Sequence, residues 1–296
     1  MPFAQKLFPF LEKLPIERGE KTRLHLISSS GKETCLSFRK GRMLCFSRMK
    51  LDQSLVNMAR DEGATLVNRQ VAAIRRKEGS WKLKSGSKYY HAKTIIGADG
   101  VNSLIRRSII GPLSEADLGI CCGYSVRNLE KEDIVFKFLA HRKGYIWLIP
   151  RDRETSLGIG AFETSNSVGL RQELDTFIRR HYPQAEILSK WAALIPNIKD
   201  LKTFQTPLAG ADWILIGDAA GHVNSTLGEG IIYALLDGEL AARAVVEGNP
   251  KTFDSQWRKA YGKSLFLGVK LRKWIYTKAG LEFYCKFLKL QNALFP

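Results

Sequence analysis

The chain has 296 residues and is 45% hydrophobic, which is enough to bury a large core and more than one compact domain usually needs. This composition excludes a disordered or fibrous protein and predicts two interleaved domains. The 46 Lys and Arg residues outnumber the 29 Asp and Glu residues, for a net charge of +17. A surplus of this size favours an anionic partner: nucleic acid, a membrane surface or a phosphorylated ligand.

The N-terminus mixes short apolar clusters with charged residues and does not resemble a signal peptide. No uncharged stretch reaches the roughly 20 apolar residues that cross a bilayer. The five cysteines form no C-x-x-C pair and no zinc spacing with histidines, so no metal site is predicted. We therefore expect a cytoplasmic protein, attached at most peripherally to the inner face of the membrane.

The first predicted elements are strands. Short β-rich runs alternate with charged breaks in residues 24–48, which is typical of antiparallel strands. Apolar residues then recur at helical spacing from Leu51 to about Glu62, and Gly63 is a typical C-terminal stop. Further strands are predicted at 64–68, 71–76 and 80–86.

Two later segments share a plan of strand, glycine turn and helix. The run Thr94–Ile96 leads into Gly97-Ala98-Asp99-Gly100 and a helix start. After strand-like runs in 118–162 and a helix at 168–180, the strand 213–216 ends in Gly217-Asp218-Ala219-Ala220-Gly221, followed by a helix from Gly228 to Val246.

Such a junction exposes backbone N–H groups and a helix dipole, which suits a phosphate or pyrophosphate. Asp99 and Asp218 could accept hydrogen bonds from ribose hydroxyls or from backbone donors. A tight turn capped by Asp, with no ligand, is the alternative for either turn alone. Because the plan of strand, glycine turn and helix occurs twice, the sequence favours a dinucleotide as the ligand.

The segments GADGVNSLIRR and WILIGDAAGHVNSTLGEGIIYALLDGELAA resemble the two internal FAD fingerprints of the flavoprotein hydroxylase and geranylgeranyl reductase superfamily, over roughly residues 48–242. The resemblance implies FAD as cofactor, with the first turn near the pyrophosphate, Asp218 on the ribitol or ribose side, and Arg106 steadying the first loop. The cofactor-binding residues that it implies are Gly97, Asp99, Gly100, Arg106, Gly217, Asp218, Ala219, Gly221, Gly228 and Gly230.

The residues that occupy these motifs favour the reductase branch of the superfamily. Aromatic hydroxylases commonly place His directly after G-D-A-A, where this chain has Gly221. The segment Gly144–Pro150 resembles the signature that lines the lipid cleft of geranylgeranyl reductases, and it implies that Tyr145, Trp147 and Pro150 contact the substrate. Flavin halogenases carry a related motif, so the segment indicates an apolar substrate more firmly than it indicates reduction; a strand that merely buries its aromatic residues is the alternative.

The superfamily opens with a strand and a G-x-G-x-x-G turn, and no such sequence precedes Arg48. We interpret this difference as truncation of the sequence, with a natural remnant as the alternative. Reduction of an alkene also needs a proton, and His222 and Glu229 flank the second turn as candidate catalytic residues. His222 could equally be a packing or surface residue.

Residues 251–296 contain ten basic and two acidic residues interleaved with aromatic ones. This pattern predicts helices that lie on an anionic membrane surface, with a core-packed helix pair as the alternative. No nucleic-acid-binding motif occurs in the chain, which argues against nucleic acid as the partner.

We therefore predict a mixed α/β (α+β) flavoprotein in three parts. They are an incomplete parallel-sheet FAD domain (48–112 and 206–250), an antiparallel substrate domain (20–47 and 113–205) and C-terminal helices (251–296). The expected function is FAD-dependent reduction of carbon–carbon double bonds in an isoprenoid, geranylgeranyl lipid, with NAD(P)H or ferredoxin as electron donor. A monooxygenase or halogenase, or a non-catalytic membrane-binding remnant, are the alternatives.

Overall fold

The computed structural model describes residues 6–38, 41–129, 132–164 and 168–294. The chain forms two compact units. The first comprises Met1–Val67, Ile120–Ala193 and Trp274–Pro296, and the second comprises Asn68–Gly119 and Leu194–Lys273. These bounds differ from the predicted domains, because the helix after residue 47 falls in the first unit and the C-terminal segment is divided between the two.

The elements follow one another along the chain as α1 (Phe10–Lys13), β1 (Arg18–Lys21), β2 (Arg23–Ile27), β3 (Glu33–Ser37), β4 (Met43–Phe46), α2 (Arg48–Asp61), β5 (Ala73–Lys77), β6 (Ser80–Ser85), β7 (Lys88–Ala92), β8 (Ile95–Gly97), α3 (Leu104–Ile109), β9 (Leu118–Arg127), β10 (Ile134–Phe138), β11 (Gly144–Pro150), β12 (Thr155–Ala161), α4 (Leu170–His181), β13 (Glu186–Pro196), β14 (Trp213–Leu215), α5 (Ile231–Val246), α6 (Thr252–Trp257), α7 (Lys263–Ile275) and α8 (Lys278–Leu294). A π-helical turn, Arg258–Gly262, joins α6 to α7.

The first unit contains a seven-stranded sheet in the order β13-β9-β12-β11-β10-β2-β3. Its pairs β2–β3, β10–β11, β11–β12 and β12–β9 are antiparallel, whereas β2 and β10 pair in parallel. The predicted antiparallel sheet is thus present with one parallel pair, because the chain returns to β2 from a distant segment rather than through a hairpin.

Helix α4 packs on one face of this sheet. Leu170, Leu174 and Ile178 recur every four residues, are buried, and join a cluster with Leu157 and Ile159 of β12. Burial of an aliphatic side chain of this size contributes about 1.5–3 kcal/mol. This hydrophobic stripe therefore fixes which face of the sheet is covered and which face is left for other contacts.

The second unit contains the parallel pair β8–β14 and a three-stranded antiparallel meander, β5-β6-β7. In the parallel pair, Trp213 lies beside Ile95 and Leu215 beside Gly97. Both predicted glycine turns therefore leave the same edge of one small sheet. The helical segment from α6 to α7 closes the core of this unit.

Most predicted elements are confirmed, including both strand–turn–helix units. The strand predicted at 64–68 is wrong: that segment is irregular and leaves Leu66 and Val67 exposed, at 56% and 44%. The prediction missed β1, β7 and β13. Within the described ranges, none of the helices combines the length and the apolar character needed to cross a membrane.

Candidate functional site

The first glycine turn begins where β8 ends. A Cβ on Gly97 would lie 2.7 Å from Leu215 Cδ2 and 3.1 Å from Ile105 Cβ, so glycine is what lets α3 approach the parallel strands. The exposed Asp99 accepts hydrogen bonds at Oδ2 from the backbone N–H groups of Leu104 (2.7 Å) and Ile105 (3.3 Å). Asp99 therefore acts as a cap on α3.

The second glycine turn is held in a different way. The backbone N–H of Gly217 donates to Asp237 Oδ2 at 2.7 Å, and Asp237 is a fully buried residue of α5. The backbone turns through Gly217 and Gly221, whose φ angles are +57° and +79°. The carboxylate that binds this turn therefore comes from another element of the chain.

Asp218 lies beside the start of α5. The residue is half-buried, and its Oδ1 is 3.3 Å from the position that a Cβ would occupy on Gly230. Gly230 is the N-cap of α5 and has no side chain to cap it, and the first turn of this helix has no acidic residue. The start of α5 therefore lies next to a carboxylate, and a side chain on Gly230 would fill the space between them.

Arg106 connects the two turns. Its side chain is buried, and Nη1 donates to the carbonyl oxygen of Ala219 at 3.1 Å. Desolvation lowers the pKa of the guanidinium group. The arginine that was expected to steady the first loop therefore binds the second loop, and α3 is held against the G-D-A-A-G turn.

These contacts bring together the cofactor-binding residues that the sequence predicted. They lie on the two turns at one edge of the β8–β14 pair and at the start of α5. The glycine turns, the start of α5 and the adjacent carboxylate fit the pyrophosphate, hydroxyl and carbonyl groups of FAD. The predicted set is Gly97, Asp99, Gly100, Arg106, Gly217, Asp218, Ala219, Gly221, Gly228 and Gly230.

His222 lies inside the second unit. It has no exposed surface, its Nδ1 is 2.8 Å from Asp237 Oδ2, and its ring centroid is 4.4 Å from that of Trp257. Tyr261 donates its hydroxyl hydrogen to Asp237 Oδ1, and burial raises the pKa of this phenol above its ordinary value. The geometry favours a packing and positioning role for His222 over contact with a substrate.

Glu229 is the better-placed of the two proton-relay candidates. It lies directly before the N-cap of α5, in a loop where the backbone N–H of Asn224 donates to its carbonyl oxygen at 2.9 Å. Desolvation raises the pKa of its carboxyl group, while part of the residue remains exposed. The carboxyl group therefore keeps its proton to a higher pH than an exposed glutamate and could donate it.

The predicted substrate residues lie on β11 in the first unit. Because side chains alternate along a strand, Tyr145 and Trp147 share one face, whereas Pro150 lies on the opposite face with Ile146 and Leu148. The structure therefore brings Tyr145 and Trp147 together and separates Pro150 from them. The two aromatic residues are half-buried and Pro150 is buried.

Glycines of neighbouring strands leave room for large rings on the Tyr145 face. Trp147 lies opposite Gly158, and a Cβ on Gly158 would overlap its indole ring. Gly123 lies beside Gly158, and a Cβ there would come within 2.9 Å of Trp191. The two indole rings stack with centroids 5.9 Å apart. They form an apolar surface that rests on the glycine backbone of the neighbouring strands.

More rings pack around Tyr145, and two of them, Phe138 and Phe162, are buried. The Tyr145 ring lies 5.2–6.0 Å from Phe136, Phe138 and Phe162, and Tyr276 lies 5.0 Å from Phe162, all between ring centroids. A cavity of about 480 Å³ is lined by Phe138 and Tyr276, and also by the polar residues His141, Arg142 and Lys143. We call the face with Tyr145, Trp147 and Trp191 the aromatic face; it suits an extended apolar ligand.

Sequence reasoning missed four residues that shape these sites. Asp237 and Tyr261 hold the second turn, and Gly158 and Trp191 build the aromatic face. One signal was present: Asp237 is a single carboxylate in the apolar run IIYALLDG, and a charged residue among buried positions usually has a partner. Nothing in the local sequence indicated the other three.

The chain is similar in sequence to several known proteins. It is 28% identical over 281 residues to an uncharacterised protein of Methanosarcina barkeri, a match that covers 88% of this chain and 68% of that protein. It is also 28% identical over 250 residues to digeranylgeranylglycerophospholipid reductase 2 of Methanothermobacter thermautotrophicus, covering 76% of this chain and 63% of the relative. The chain thus spans less than two thirds of that reductase. No family model matches it.

Solved structures establish the fold. A geranylgeranyl bacteriochlorophyll reductase-like protein from Thermoplasma acidophilum superposes with a TM-score of 0.79 at 20% identity, covering 92% of this chain and 75% of its own. A flavin-dependent brominase variant gives 0.71 at 16% identity, covering 97% and 82%. A Klebsiella pneumoniae protein, solved with FAD and uric acid, gives 0.65 at 15% identity, covering 97% and 81%.

The predicted fold class is confirmed by these neighbours: the chain has the mixed α/β fold of FAD-binding flavoproteins of the hydroxylase type. It is similar in sequence to geranylgeranyl lipid reductases. The names of these relatives and neighbours describe reductases and flavin-dependent enzymes, which accords with an oxidoreductase.

Proposed function

We propose that this chain is part of an FAD-dependent oxidoreductase that reduces carbon–carbon double bonds of an isoprenoid lipid. The observation that carries the proposal is the pair of glycine turns at one edge of the β8–β14 pair, joined by Arg106 and bordered by the start of α5. The sequence similarity to digeranylgeranylglycerophospholipid reductases supports the choice of substrate.

In this proposal the second unit holds FAD. Asp218 binds a hydroxyl of the ribitol or ribose side, and the N–H groups at the start of α5 bind a carbonyl or phosphate oxygen. The first turn, with Gly100 at a φ of +78° and open space where a side chain would be, accepts the pyrophosphate. When bound, FAD would supply the hydride for reduction of the double bond.

The aromatic face of the first unit would bind the isoprenoid chain. Trp147 and Trp191 offer stacked apolar rings, and an apolar surface of this kind excludes water from an apolar ligand. Glu229, whose pKa burial raises, is the candidate proton donor; the proton would be added to the alkene carbon next to the one that accepts the hydride. We further propose that the protein meets its lipid at an anionic membrane surface, in keeping with its net charge of +17.

The experiment has two readings, flavin binding and turnover. FAD is titrated into the protein and followed by flavin fluorescence; then a geranylgeranyl phospholipid is added to the dithionite-reduced protein, and its gain of hydrogen is measured by mass spectrometry. Trp147→Leu should raise KM because it removes an indole from the aromatic face. Pro150→Ala is the matched control, since Pro150 lies on the opposite face, and its KM should not change.

Because the fold is also that of a flavin-dependent brominase, the same experiment has a second outcome to test. If the reduced flavin reacts rapidly with oxygen and the lipid product carries a hydroxyl or a halogen, the protein is a monooxygenase or halogenase and the reductase proposal is wrong. Absence of flavin binding would instead show that the two glycine turns of this chain do not hold the cofactor.

A further inference from the structure

Three large aromatic side chains of the first unit lie exposed and in contact with one another. They are Trp274 at the end of α7 and Phe283 and Phe287 of α8, with 43%, 57% and 44% of their surfaces exposed. The ring centroids of Trp274 and Phe283 are 5.2 Å apart, and the rings of Phe283 and Phe287 are nearly parallel, 6.4 Å apart. We call these three residues the aromatic ladder.

The ladder is not a continuation of the protein core. On α8, Leu281 and Cys285 are only 3% exposed, and they recur at the same four-residue spacing as Phe283 and Phe287. The two pairs therefore occupy opposite sides of the helix, one buried and one exposed. A surface helix usually carries polar residues on its outer side, so an exposed aromatic outer side requires a separate explanation.

The structure shows that only part of the predicted membrane-binding segment, residues 251–296, could contact a membrane. Phe253 and Trp257 of α6 have no exposed surface, and Tyr261, Leu265 and Val269 are at most 8% exposed within the core of the second unit. For these residues the core-packing alternative holds. Among the described residues from 251 onward, the exposed aromatic residues are thus Trp274, Phe283 and Phe287.

The charges around the ladder are mainly positive. Lys273 precedes Trp274, and Lys286 precedes Phe287; both are exposed. The sequence adds Lys278 and Lys289. The acidic residue in this stretch, Glu282, accepts a hydrogen bond at Oε1 from Ser30 at 3.0 Å. An apolar strip bordered by lysines complements an anionic bilayer, whereas docking against a second copy would bring like charges together.

We propose that the aromatic ladder inserts into the headgroup region of an anionic bilayer while the neighbouring lysines contact the lipid phosphates. The proposal rests on the proposed function for its membrane setting and names the surface that makes the contact. Aromatic side chains favour the interface between water and lipid, and lysines near an anionic surface add a salt-sensitive attraction.

The test uses vesicles without isoprenoid substrate and without added flavin, so its result is independent of catalysis. Co-flotation is measured with vesicles of phosphatidylcholine alone and with vesicles containing phosphatidylglycerol, at low and high salt. The Phe283→Ser/Phe287→Ser variant should lose binding by about tenfold or more. The matched control is Met49→Ser/Val168→Ser, which removes apolar residues that are 78% and 86% exposed elsewhere on the same unit, and it should bind like the parent.

Insertion is measured separately with lipids brominated in the acyl chain, which quench nearby tryptophan fluorescence. Trp274→Phe should keep vesicle binding but lose most of the quenching, because the other tryptophans lie outside the ladder. Lys286→Glu should weaken binding to the anionic vesicles and leave binding to the phosphatidylcholine vesicles unchanged.

Equal flotation of the ladder variant and its control would overturn the proposal, as would quenching that survives Trp274→Phe. A parent protein that dimerises without lipid, and a ladder variant that is monomeric in sedimentation, would assign the ladder to a second copy instead. Flavin titration of the same variants separates this proposal from the previous one, since ladder variants should bind FAD as the parent does.

Discussion

The two glycine turns of the second unit have similar sequences, but different aspartates form the hydrogen bonds that hold them in place. In the first turn, Asp99 is exposed and its carboxylate caps α3. In the second, the buried Asp237 of α5 binds the backbone of Gly217, and Asp218 lies beside the start of that helix. The two turns therefore differ in the source of their support: an aspartate of the turn itself supports the first helix, whereas an aspartate from α5 supports the backbone of the second turn.

This comparison assigns a different consequence to each of three aspartates. Loss of Asp237 should mainly destabilise the protein, loss of Asp218 should mainly weaken cofactor binding, and loss of Asp99 should have a small effect on stability. Substitutions at these positions test whether the two turns differ in this way.

The largest effect is expected for Asp237→Ala. This change removes the partner of the Gly217 N–H, of His222 and of Tyr261, all within the buried core. Breaking a buried polar network in this way costs about 3–5 kcal/mol in the free energy of unfolding. Urea unfolding followed by circular dichroism measures the change.

Tyr261→Phe is the control for that measurement, because it removes one hydroxyl and keeps the ring against His222. It should cost about 0.5–1.5 kcal/mol, the usual contribution of one hydrogen bond. If the two variants unfold at the same urea concentration, Asp237 does not support the second turn, and the contrast between the turns fails.

The next largest effect is expected for Asp218→Ala, and it concerns FAD affinity. If Asp218 binds a sugar hydroxyl, its loss removes a charge-assisted hydrogen bond of about 1.5–3 kcal/mol, which raises Kd about 10- to 150-fold. Flavin fluorescence titration measures Kd, and the unfolding midpoint should change little. An unchanged Kd would mean that the second turn does not use Asp218 for the cofactor.

Much of this arrangement could be predicted from the sequence, because local signals specify it. Glycine, aspartate and the apolar runs before them identified both turns, and alternation of residue types identified most strands of the first unit. The contacts of Asp237 could not be predicted, since Gly217 and Tyr261 lie 20 and 24 residues away along the chain. The π-helical turn that carries Tyr261 also has no clear local signal.

The aromatic face shows the same limit. Tyr145 and Trp147 were identified from a local motif, and strand alternation alone would have separated them from Pro150. The stacking of Trp147 on Trp191, and the glycines beneath both rings, depend on which strands become neighbours. Strand β13, which carries Trp191, was missed because its residues from Glu186 to Ala193 are exposed and show no hydrophobic alternation.

A smaller effect is expected for Arg106→Lys, which tests the link between the turns. Lysine keeps the positive charge but lacks the planar donor group that reaches the Ala219 carbonyl oxygen. We expect a loss of about 1–2 kcal/mol in the free energy of unfolding and a modest rise in Kd for FAD. Arg107→Lys is the control on the same helix, since Arg107 is exposed. Equal behaviour of the two variants would show that the turns are not coupled through Arg106.

The smallest effect is expected for Asp99→Ala. It removes the side-chain acceptor of the Leu104 and Ile105 N–H groups, and loss of such a cap costs about 0.5–2 kcal/mol. Ser103 also accepts from the backbone N–H of Arg106, so α3 keeps part of its capping and the cost should fall at the lower end. Asp99→Asn is the discriminating variant, because an amide oxygen caps a helix about as well as a carboxylate does. If Asn restores stability and FAD affinity together, Asp99 acts as a cap alone. If Asn restores stability while Kd stays raised, the Asp99 carboxylate also contacts the cofactor, and the two turns are more alike than their hydrogen bonds indicate.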